Sequence, residues 1–516
     1  MFSPPMRFIT GLRPLVRRTI IESFRKRATF PEGPFPGHLI GHFIRTFITM
    51  RNRCLFIPLF AALALFSCRK DSFITSKDAI VRLSADTLFF DTVFVSTGSI
   101  TEAVKVINGN DQKLRLSDVK LMGGSQSYFS ININGAPGSV RQNIELEAGD
   151  SIYIFVAVSI QPNAANLPFI IQDSIQVAFN GVSQYIQLQA WGKNAHFLRS
   201  QVIEGNVTWD NTLPYVIQGG LQVDTNATLT IPAGCRIYLH ADAPFLVDGT
   251  LKVQGAKGDS NHVIFRGDRL DDPYRDFPGG WPGIYFRAAS KGSSLKYADI
   301  KNAYQAVVSA GSPLGSPSQL TLEQCIIDNS YDAGIMGVQT SIQASNCLIS
   351  NCGKDIVLNY GGNYQFLHCT AVGFSNDYIT HSQPVLFVSN NITQDDGTSL
   401  NADLSADFIN CIFWGASGTV DNEVQLSRQG STAFHVGFSN CDWKVKSAPA
   451  DATVSNMITN TDPQFDSVNN SKRYYDLHLR AASPLIDKGI SSSLTIDLDG
   501  YSRPVGLPDP GCYEHQ

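Results

Sequence analysis

The sequence predicts an all-β protein in which a β-sandwich precedes a stacked array of short strands. Cys325, Cys347 and Cys369 follow one another at a constant interval of 22 residues, and the neighbouring apolar residues keep the same register. A fixed period of this size indicates stacked repeats. Residues 81–195 consist of short runs in which apolar and polar residues alternate, as in sandwich strands. Glycine is frequent (42 residues) and only 16% of residues are charged, which is typical of β-structure with many turns.

The chain has 516 residues, 43% of them hydrophobic, and this suffices for two to four domains with large cores. The formal net charge is only −5. No basic stripe with interleaved aromatic residues occurs, so the composition does not indicate a nucleic-acid partner.

Residues 50–68 have the pattern of an export signal. Two arginines precede an apolar run from Leu55 to Phe66, which is too short for a comfortable membrane span but suits the core of a signal peptide. The final Leu-Phe-Ser-Cys resembles the lipobox of bacterial lipoproteins, and this resemblance implies that Cys68 is lipidated. The alternative is an ordinary secretory signal with a chance cysteine.

The segments on either side of this signal are interpreted by their relation to it. Residues 1–49, rich in Arg, Phe and Pro without a sustained period, are expected to be a disordered, over-extended gene start; a genuine cytosolic extension is the alternative. Residues 69–80 are expected to be a polar tether. The sequence Arg-Lys-Asp-Ser after Cys68 lacks an aspartate directly behind the cysteine, which by analogy with known sorting rules favours the outer membrane. Either face of that membrane is compatible with the sequence.

Residues 81–195 predict about seven short strands, each bounded by Gly, Asn or Asp. This pattern favours an immunoglobulin-like sandwich, without a core disulfide because no cysteine falls in the segment. Residues 81–190 contain no histidine and no catalytic constellation. We therefore expect a spacer or docking module.

Residues 196–470 contain the repeats. The stretch from Leu229 to Gly234 (LTIPAG), followed by VDGTLKVQG, resembles the first coils of a right-handed parallel β-helix. Seven rungs fit one template of four inward positions, including one rung at Leu386, Val388, Asn391 and Thr393. Cysteines stacked one above another at about 4.8 Å predict buried thiols rather than disulfides or a zinc site.

The bends between strands are expected at asparagines, which tolerate the left-handed conformation. Asn346, Asn390, Asn410 and Asn440 each precede an inward position. Residues 471–516, with SPLIDKG and DPGCYE, resemble the closing segments of bacterial β-helix proteins. We expect this segment to cover the open edge of the last rung, because exposed sheet edges need protection.

Residues 50–516 together resemble the β-helix repeat lipoproteins of the Bacteroidota, within the pectate-lyase-like superfamily of right-handed parallel β-helices. The resemblance implies the fold but not the function, because the fold serves lyases, glycosidases, tailspikes and adhesins. No catalytic motif of the superfamily matches, so no catalytic residue is transferred.

The candidate site residues lie mainly in an insertion after Phe265. It combines acids, bases and a ring for chemistry on a sugar: Arg266, Asp268, Arg269, Asp271, Asp272, Tyr274, Arg275 and, for sugar stacking, Trp281. The alternative is a lid held by Arg–Asp pairs. Two histidines, His368 and His381, are weaker binding candidates. Asp497 and Asp499 could hold Ca²⁺, although a plain turn is the alternative and no other cofactor or metal is indicated.

Two functions remain open. The first is a cell-envelope lipoprotein, attached to the membrane only through its lipid, whose rigid β-helix presents a surface to a polysaccharide or an envelope protein. The second is a polysaccharide lyase or glycoside hydrolase acting on an extended polysaccharide.

Overall fold

The structure, a computed structural model, describes residues 72–94, 101–159, 169–270, 274–311, 318–394, 396–416 and 419–516. The predicted all-β class is confirmed. Apart from three short 3-10 turns, regular structure in these ranges consists of strands; the turns are Gly124–Gln126, Asp259–Asn261 and Tyr274–Asp276. The predicted signal peptide and Cys68 lie outside the described residues. In the described part of the chain, no helix is long and apolar enough to cross a membrane.

The N-terminal sandwich consists of two five-stranded sheets. One sheet has the order Val81–Leu83, Glu102–Asn108, Ser151–Val158, Phe129–Ile133 and Ala136–Pro137. The other has the order Thr87–Phe94, Val182–Lys193, Phe169–Phe179, Leu114–Leu121 and Val140–Leu146. Alternate residues such as Val104, Ile154, Leu116 and Val177 fill the space between the sheets, because successive side chains of a strand point to opposite faces.

A parallel β-helix follows, as predicted, and three sheets line its core. The first sheet contains Asn206–Thr208, Thr228–Pro232, Thr250–Gln254, Ser293–Lys296, Leu320–Glu323, Leu404–Ile409, Phe434–Ser439 and Thr453–Ser455. The second contains Arg236–Leu239, Val263–Gly267, Ala298–Lys301, Ile326–Asp328, Leu348–Ser350, Thr370–Gly373, Ile412–Gly415, Asp442–Trp443 and Ile458–Thr459. The third contains Phe245–Val247, Ile284–Phe286, Gln305–Ala310, Leu386–Ser389 and Val424–Ser427.

Four long strands bend from one sheet into another. His196–Ile203 and Tyr215–Val223 link the second and third sheets in the first coils, and Ala333–Ser345 and Lys354–Leu367 link the third and first sheets. All pairs between coils are parallel. Such connections are almost always right-handed, in agreement with the predicted hand.

Three of the four predicted bends and the thiol ladder are present, whereas Asn390 does not have a positive φ. Asn346, Asn410 and Asn440 have φ values near +50°, the left-handed conformation that asparagine tolerates. Cys325 and Cys347 are fully buried, and all eight cysteines of the described residues are free thiols. The cysteines are therefore part of the packing of the core.

The predicted rung at Leu386 to Thr393 is wrong. Leu386–Ser389 pairs with Ile356 to Leu358 in the third sheet rather than with the first. Asn391–Thr393 leaves the β-helix and pairs antiparallel with Ser399–Asn401. Alternating apolar residues are compatible with a strand of any sheet. A strand of the third sheet therefore lies 22 residues after the preceding rung by chance and fits the same template.

The closing segment is also placed differently from the prediction. Its strand Tyr474–Leu479 pairs antiparallel with the preceding strand Phe465–Asn469, and its apolar residues pack on the outer face of the second sheet. Four bend side chains bond its backbone carbonyls: Asn346 to Ile496, His368 to Asp509, Asn410 to Ile490 and Asn440 to Lys488. The segment thus runs along the side of the stack. The outer face of the second sheet is apolar at Ile326, Leu348 and Ile412. The closing segment therefore shields this face of the sheet from water.

Candidate functional site

Two inserts leave the β-helix at the same corner, between the second and third sheets. Residues 268–283 connect Val263–Gly267 to Ile284–Phe286, and residues 374–385 connect Thr370–Gly373 to Leu386–Ser389. Because parallel coils are stacked in register, both inserts project from one edge of the molecule. The insertion around Arg266 and the segment around His381, predicted as separate clusters, therefore belong to one region.

The first insert is fixed by the corner asparagines. Asn302 and Asn329 have positive φ and occupy the same bend in successive coils. Asn302 Nδ2 donates to Arg275 O at 2.7 Å, and Asn329 Nδ2 donates to Asp276 O at 2.9 Å and to Asn302 Oδ1 at 2.8 Å. Arg266 Nη2 also donates to Arg275 O, at 2.9 Å. These bonds hold the 3-10 turn Tyr274–Asp276 in place.

Aromatic and charged contacts join the two inserts. The rings of Phe277 and Tyr378 meet edge to face, with centroids 5.0 Å apart. Arg473, from the closing segment, places its guanidinium 4.5 Å from the ring centre of Tyr378 and its Nη2 2.9 Å from Asp276 Oδ2. The two inserts and the closing segment therefore form one packed cluster.

The candidate catalytic residues do not form a free acid–base pair in the described residues. Asp268 Oδ2 lies 2.8 Å from His240 Nδ1, and burial raises the pKa of Asp268 although the His240 hydrogen bond opposes this. Arg269 lies 4.0 Å from the ring centre of Tyr274. Asp271 and Asp272 lie outside the described residues. Arg–Asp contacts in the described part of the insert involve Asp276, which lies beside Arg275 and Arg473. A lid held by Arg–Asp pairs stays a prediction.

Trp281 does not present a surface for sugar stacking. Its side chain is 1% exposed, and its indole N–H donates to Lys301 O at 2.9 Å. The backbone pairs with Ala303. Trp281 fills the core where the insert rejoins the coil, so its proposed binding role is corrected to a packing role.

His368 is also structural. It takes the bend conformation (φ +52°) at the position that asparagine holds in other coils. Its Nδ1 donates to Asp509 O at 3.1 Å and its Nε2 accepts from Asn410 Nδ2 at 2.8 Å. Burial and the charge of Arg503 lower the pKa of His368 to about 3, so the ring is neutral and bonds the closing segment rather than a ligand.

The two calcium candidates form hydrogen bonds to backbone N–H groups and to a histidine. Asp497 is buried and accepts the N–H groups of Tyr501 and Glu514. Asp499 Oδ2 lies 3.0 Å from His478 Nε2. Burial lowers the pKa of His478, but its hydrogen bonds to Asp499 and Asp476 outweigh this and raise the pKa to about 9. The residues that the structure describes contain no cluster of three or more side chains suited to a metal.

An open cleft of about 490 Å³ lies at the same corner. Its lining comes from two successive turns and from the second insert: Tyr331, Asp332, Gly353, Lys354, Tyr378, Ile379, Thr380, Ser382 and Gln383. His381 belongs to the same insert but is turned inward, 4% exposed, with Nε2 3.0 Å from Glu423 Oε1. His381 therefore lies behind the wall of the cleft and not in its lining.

Tyrosines on adjacent coils form the floor of this corner. Tyr304 and Tyr331 each follow a bend asparagine by two residues, and their rings stack with centroids 5.6 Å apart. The corresponding residue in the next coil is Gly353, where a Cβ would clash with the carbonyl of Tyr331. The ring ladder stops there, and Tyr331 remains 48% exposed beside the cleft.

The charged residues of the cleft are paired with each other. Asp332 Oδ2 accepts from Gln305 Nε2 at 2.7 Å, and Asp332 Oδ1 lies 3.4 Å from Lys354 Nζ. Tyr304 and Tyr331 are not among the site residues predicted from the sequence. The signal for them is the repeated spacing Asn-x-Tyr after the second sheet, at Asn302 and Asn329.

No protein-family model matches the chain, and no curated protein matches it. Among solved structures, it is similar to the catalytic unit of a family 87 α-1,3-glucanase from Streptomyces thermodiastaticus, with 10% identity, 70% of this chain and 90% of that chain covered, and a TM-score of 0.20. A family 123 glycoside hydrolase from Clostridium perfringens matches at 11% identity over 24% of this chain and 30% of that chain, TM-score 0.18. A protein of unknown function from Porphyromonas gingivalis matches at 10% identity. The match covers 24% of this chain and 60% of that chain, with a TM-score of 0.17.

The chain spans less than two thirds of the length of the last two proteins. Scores of this size do not assign a function.

Proposed function

We propose that this protein is a cell-envelope lipoprotein that binds a glycan in the corner cleft. The observation that carries the proposal is the exposed ring of Tyr331, stacked on Tyr304 and next to a cleft whose other wall offers hydroxyl and amide groups. Aromatic faces and a few convergent polar groups are what a small-molecule site requires.

The cleft is extended along the axis of the β-helix. Its lining comes from successive coils, and adjacent coils are separated by about 4.8 Å. Two steps, from Tyr331 through Gly353 to the second insert, therefore correspond to about 10 Å along the stack. A ligand that contacts all of these coils is a chain of linked sugar rings lying parallel to the axis, rather than one sugar.

The composition of the lining favours binding without turnover. A glycoside hydrolase uses two carboxylic acids at about 5–5.5 or 6.5–9.5 Å, and Asp332 is the single carboxylate among the described residues of the lining. Lys354, the base or cation that a lyase could use, is paired with Asp332. A lyase or hydrolase acting on a polysaccharide remains the alternative function, and a protein ligand from the cell envelope is the alternative partner.

A glycan array probed with the full chain, followed by lyase absorbance and reducing-end assays on each glycan that binds, tests the proposal. Binding without product formation supports it. Product formation that Asp332→Asn or Lys354→Gln abolishes would establish the enzymatic alternative. Binding to envelope proteins but to no glycan would replace the glycan by a protein partner.

The envelope location rests on the lipobox-like sequence that ends at Cys68. Lipidation there would place the protein on the outer membrane through its lipid alone. Cys68→Ser is expected to abolish palmitate labelling and release the protein from the membrane fraction. Unchanged membrane association of this variant would contradict the assignment.

A further inference from the structure

The balance of charge in the corner cleft bears on which glycan it accepts. Only two of the nine lining residues carry a charge, Asp332 and Lys354, and they bond each other at 3.4 Å. Gln305 donates to the second oxygen of Asp332 at 2.7 Å. The cleft therefore offers an incoming ligand no unpaired charge among these three side chains.

The arginines of the first insert and the closing segment that lie at this corner also bond a carboxylate. Arg473 bonds Asp276 at 2.9 Å and lies over the ring of Tyr378. Arg275 Nε lies 3.6 Å from the same carboxylate. Recognition of an acidic sugar normally uses a guanidinium or ammonium group that can form charge-assisted hydrogen bonds to the carboxylate. Here both guanidinium groups share the carboxylate of Asp276, and neither arginine belongs to the lining of the cleft.

The remaining polar groups of the cleft are uncharged. Thr380, Ser382 and Gln383 are exposed on the second insert. Hydroxyl and amide side chains both donate and accept hydrogen bonds, as sugar hydroxyl groups do. Together with the ring of Tyr331, these side chains match a chain of hydroxylated, uncharged sugar rings.

We propose that the corner cleft selects neutral oligosaccharide chains over acidic ones, an inference that rests on the proposed glycan-binding function. An acidic sugar would have to draw Lys354 away from Asp332, and its own carboxylate would then face the carboxylate of Asp332. Like charges at this distance repel each other. A neutral chain can use the cleft without disturbing the pair.

The test compares binding of the full chain to neutral polysaccharides (galactan, mannan, glucan) and to acidic ones (polygalacturonate, alginate). Binding is measured between about 0.1 M and about 1 M salt, where the Debye length falls from about 10 Å to about 3 Å. We expect binding to a neutral glycan that changes less than about twofold over this range, since no ion pair with the ligand is screened.

Three variants sharpen the comparison. Asp332→Asn frees Lys354 and is expected to create salt-sensitive binding of an acidic polysaccharide. Lys354→Gln removes the ammonium group and is expected to show no salt-sensitive binding of an acidic polysaccharide, because no charge-assisted hydrogen bond to its carboxylates can then form. Glu323→Gln is the matched control, since it breaks a similar lysine pair (Lys296, 3.3 Å) on the first sheet and is expected to change nothing.

Each outcome decides the inference. Preferential, salt-sensitive binding of an acidic glycan by the native protein, lost in Lys354→Gln, overturns the charge argument but leaves glycan binding intact. Equal affinity for acidic and neutral chains also overturns it. If neither class binds, the proposed function itself fails, and the selectivity fails with it.

Discussion

His381 and Glu423 form a buried pair behind the wall of the corner cleft. His381 Nε2 lies 3.0 Å and 3.1 Å from the two carboxylate oxygens of Glu423, and both side chains are almost fully buried. Gly373 and Gly415, which are paired in adjacent coils, leave the space for them. The pair therefore ties the insert 374–385, whose outer side lines the cleft, to the following coil.

Gly415→Ala is expected to loosen this insert. Neither glycine has a positive φ, so the substitution adds no backbone strain, but the new Cβ would clash with Glu423 and His381. Overpacking of this kind costs about 1–3 kcal/mol of unfolding free energy. Hydrogen exchange of residues 374–385 should become faster, and denaturant unfolding should show the loss of stability.

Gly437→Ala is the control for this experiment, because a Cβ at Gly437 meets only the end of the Asp407 side chain and its flexible neighbour His435. If Gly415→Ala leaves exchange of the insert and unfolding unchanged, the buried pair does not position the wall of the cleft.

The closing segment is held by an ion pair from which water is excluded. Arg503 Nε lies 3.0 Å from Glu514 Oε2, both side chains are 0% exposed, and Arg503 Nη1 donates to Asn346 Oδ1 at 2.7 Å. Glu514→Gln leaves the buried guanidinium without its counter-charge, which costs about 3–5 kcal/mol. We expect limited proteolysis to cut the closing segment, residues 471–516, first in this variant.

Asp421→Asn serves as its control, since the pair of Asp421 with Lys446 is largely exposed and such pairs contribute about 0–1 kcal/mol. Equal protease resistance of Glu514→Gln and the native chain would show that the ion pair does not hold the segment.

Asp442 makes stability depend on pH. It is fully buried on the second sheet, and neither carboxylate oxygen has a partner in the structure. Burial, together with the charge of Asp462, raises its pKa from 3.8 to about 8. The folded state thus binds this proton more tightly than the unfolded state, so the contribution of Asp442 to stability falls as pH rises from about 4 to about 8.

Asp442→Asn removes this titration. We expect its melting temperature to exceed that of the native chain at pH 7, with a difference that shrinks towards pH 4, as followed by thermal unfolding across this range. A difference that is the same at every pH would rule out the proton on Asp442 as its cause.

The buried thiols should be inert in the folded protein. Burial raises the pKa of Cys235 to about 11 and of Cys512 to about 12, and that of Cys347 well above its ordinary value. Thiolate is the reactive form, and access is also blocked. In a chain carrying Cys54→Ser and Cys68→Ser, a thiol reagent is expected to modify none of the eight remaining cysteines before unfolding and all eight afterwards. Fast reaction of a native thiol would contradict the packing ladder.

Periodicity predicted the core of the fold because inward residues must match between coils. The register of Cys325, Cys347 and Cys369 is a direct consequence of parallel stacking. The step to Asn391 was misleading, because the insert before Leu386 moves that strand into another sheet. The period describes the spacing of apolar residues along the chain, but it does not show to which sheet a strand belongs.

The sequence indicates the position of the closing segment and the site residues only in part. The run Cys347-Leu348-Ile349 is apolar on both faces, which indicates a strand that is covered outside as well as inside, but it does not tell what covers it. The sequence predicts that Trp281 stacks on a sugar because it lies in an insertion rich in acids and bases, but its ring fills the core. Tyr304 and Tyr331 are 27 residues apart in sequence, and only the stacking of coils brings their rings together.

The most direct test of the account is calorimetric titration of a bound neutral oligosaccharide into the native chain, Tyr331→Ala and Tyr185→Ala. Tyr185 is 45% exposed on the sandwich, close to the 48% of Tyr331, and is the matched control. Loss of the exposed stacking ring that lines the cleft predicts about tenfold weaker binding by Tyr331→Ala, or about 1.4 kcal/mol, with Tyr185→Ala unchanged. Native affinity of Tyr331→Ala would contradict the assignment of the glycan to this cleft.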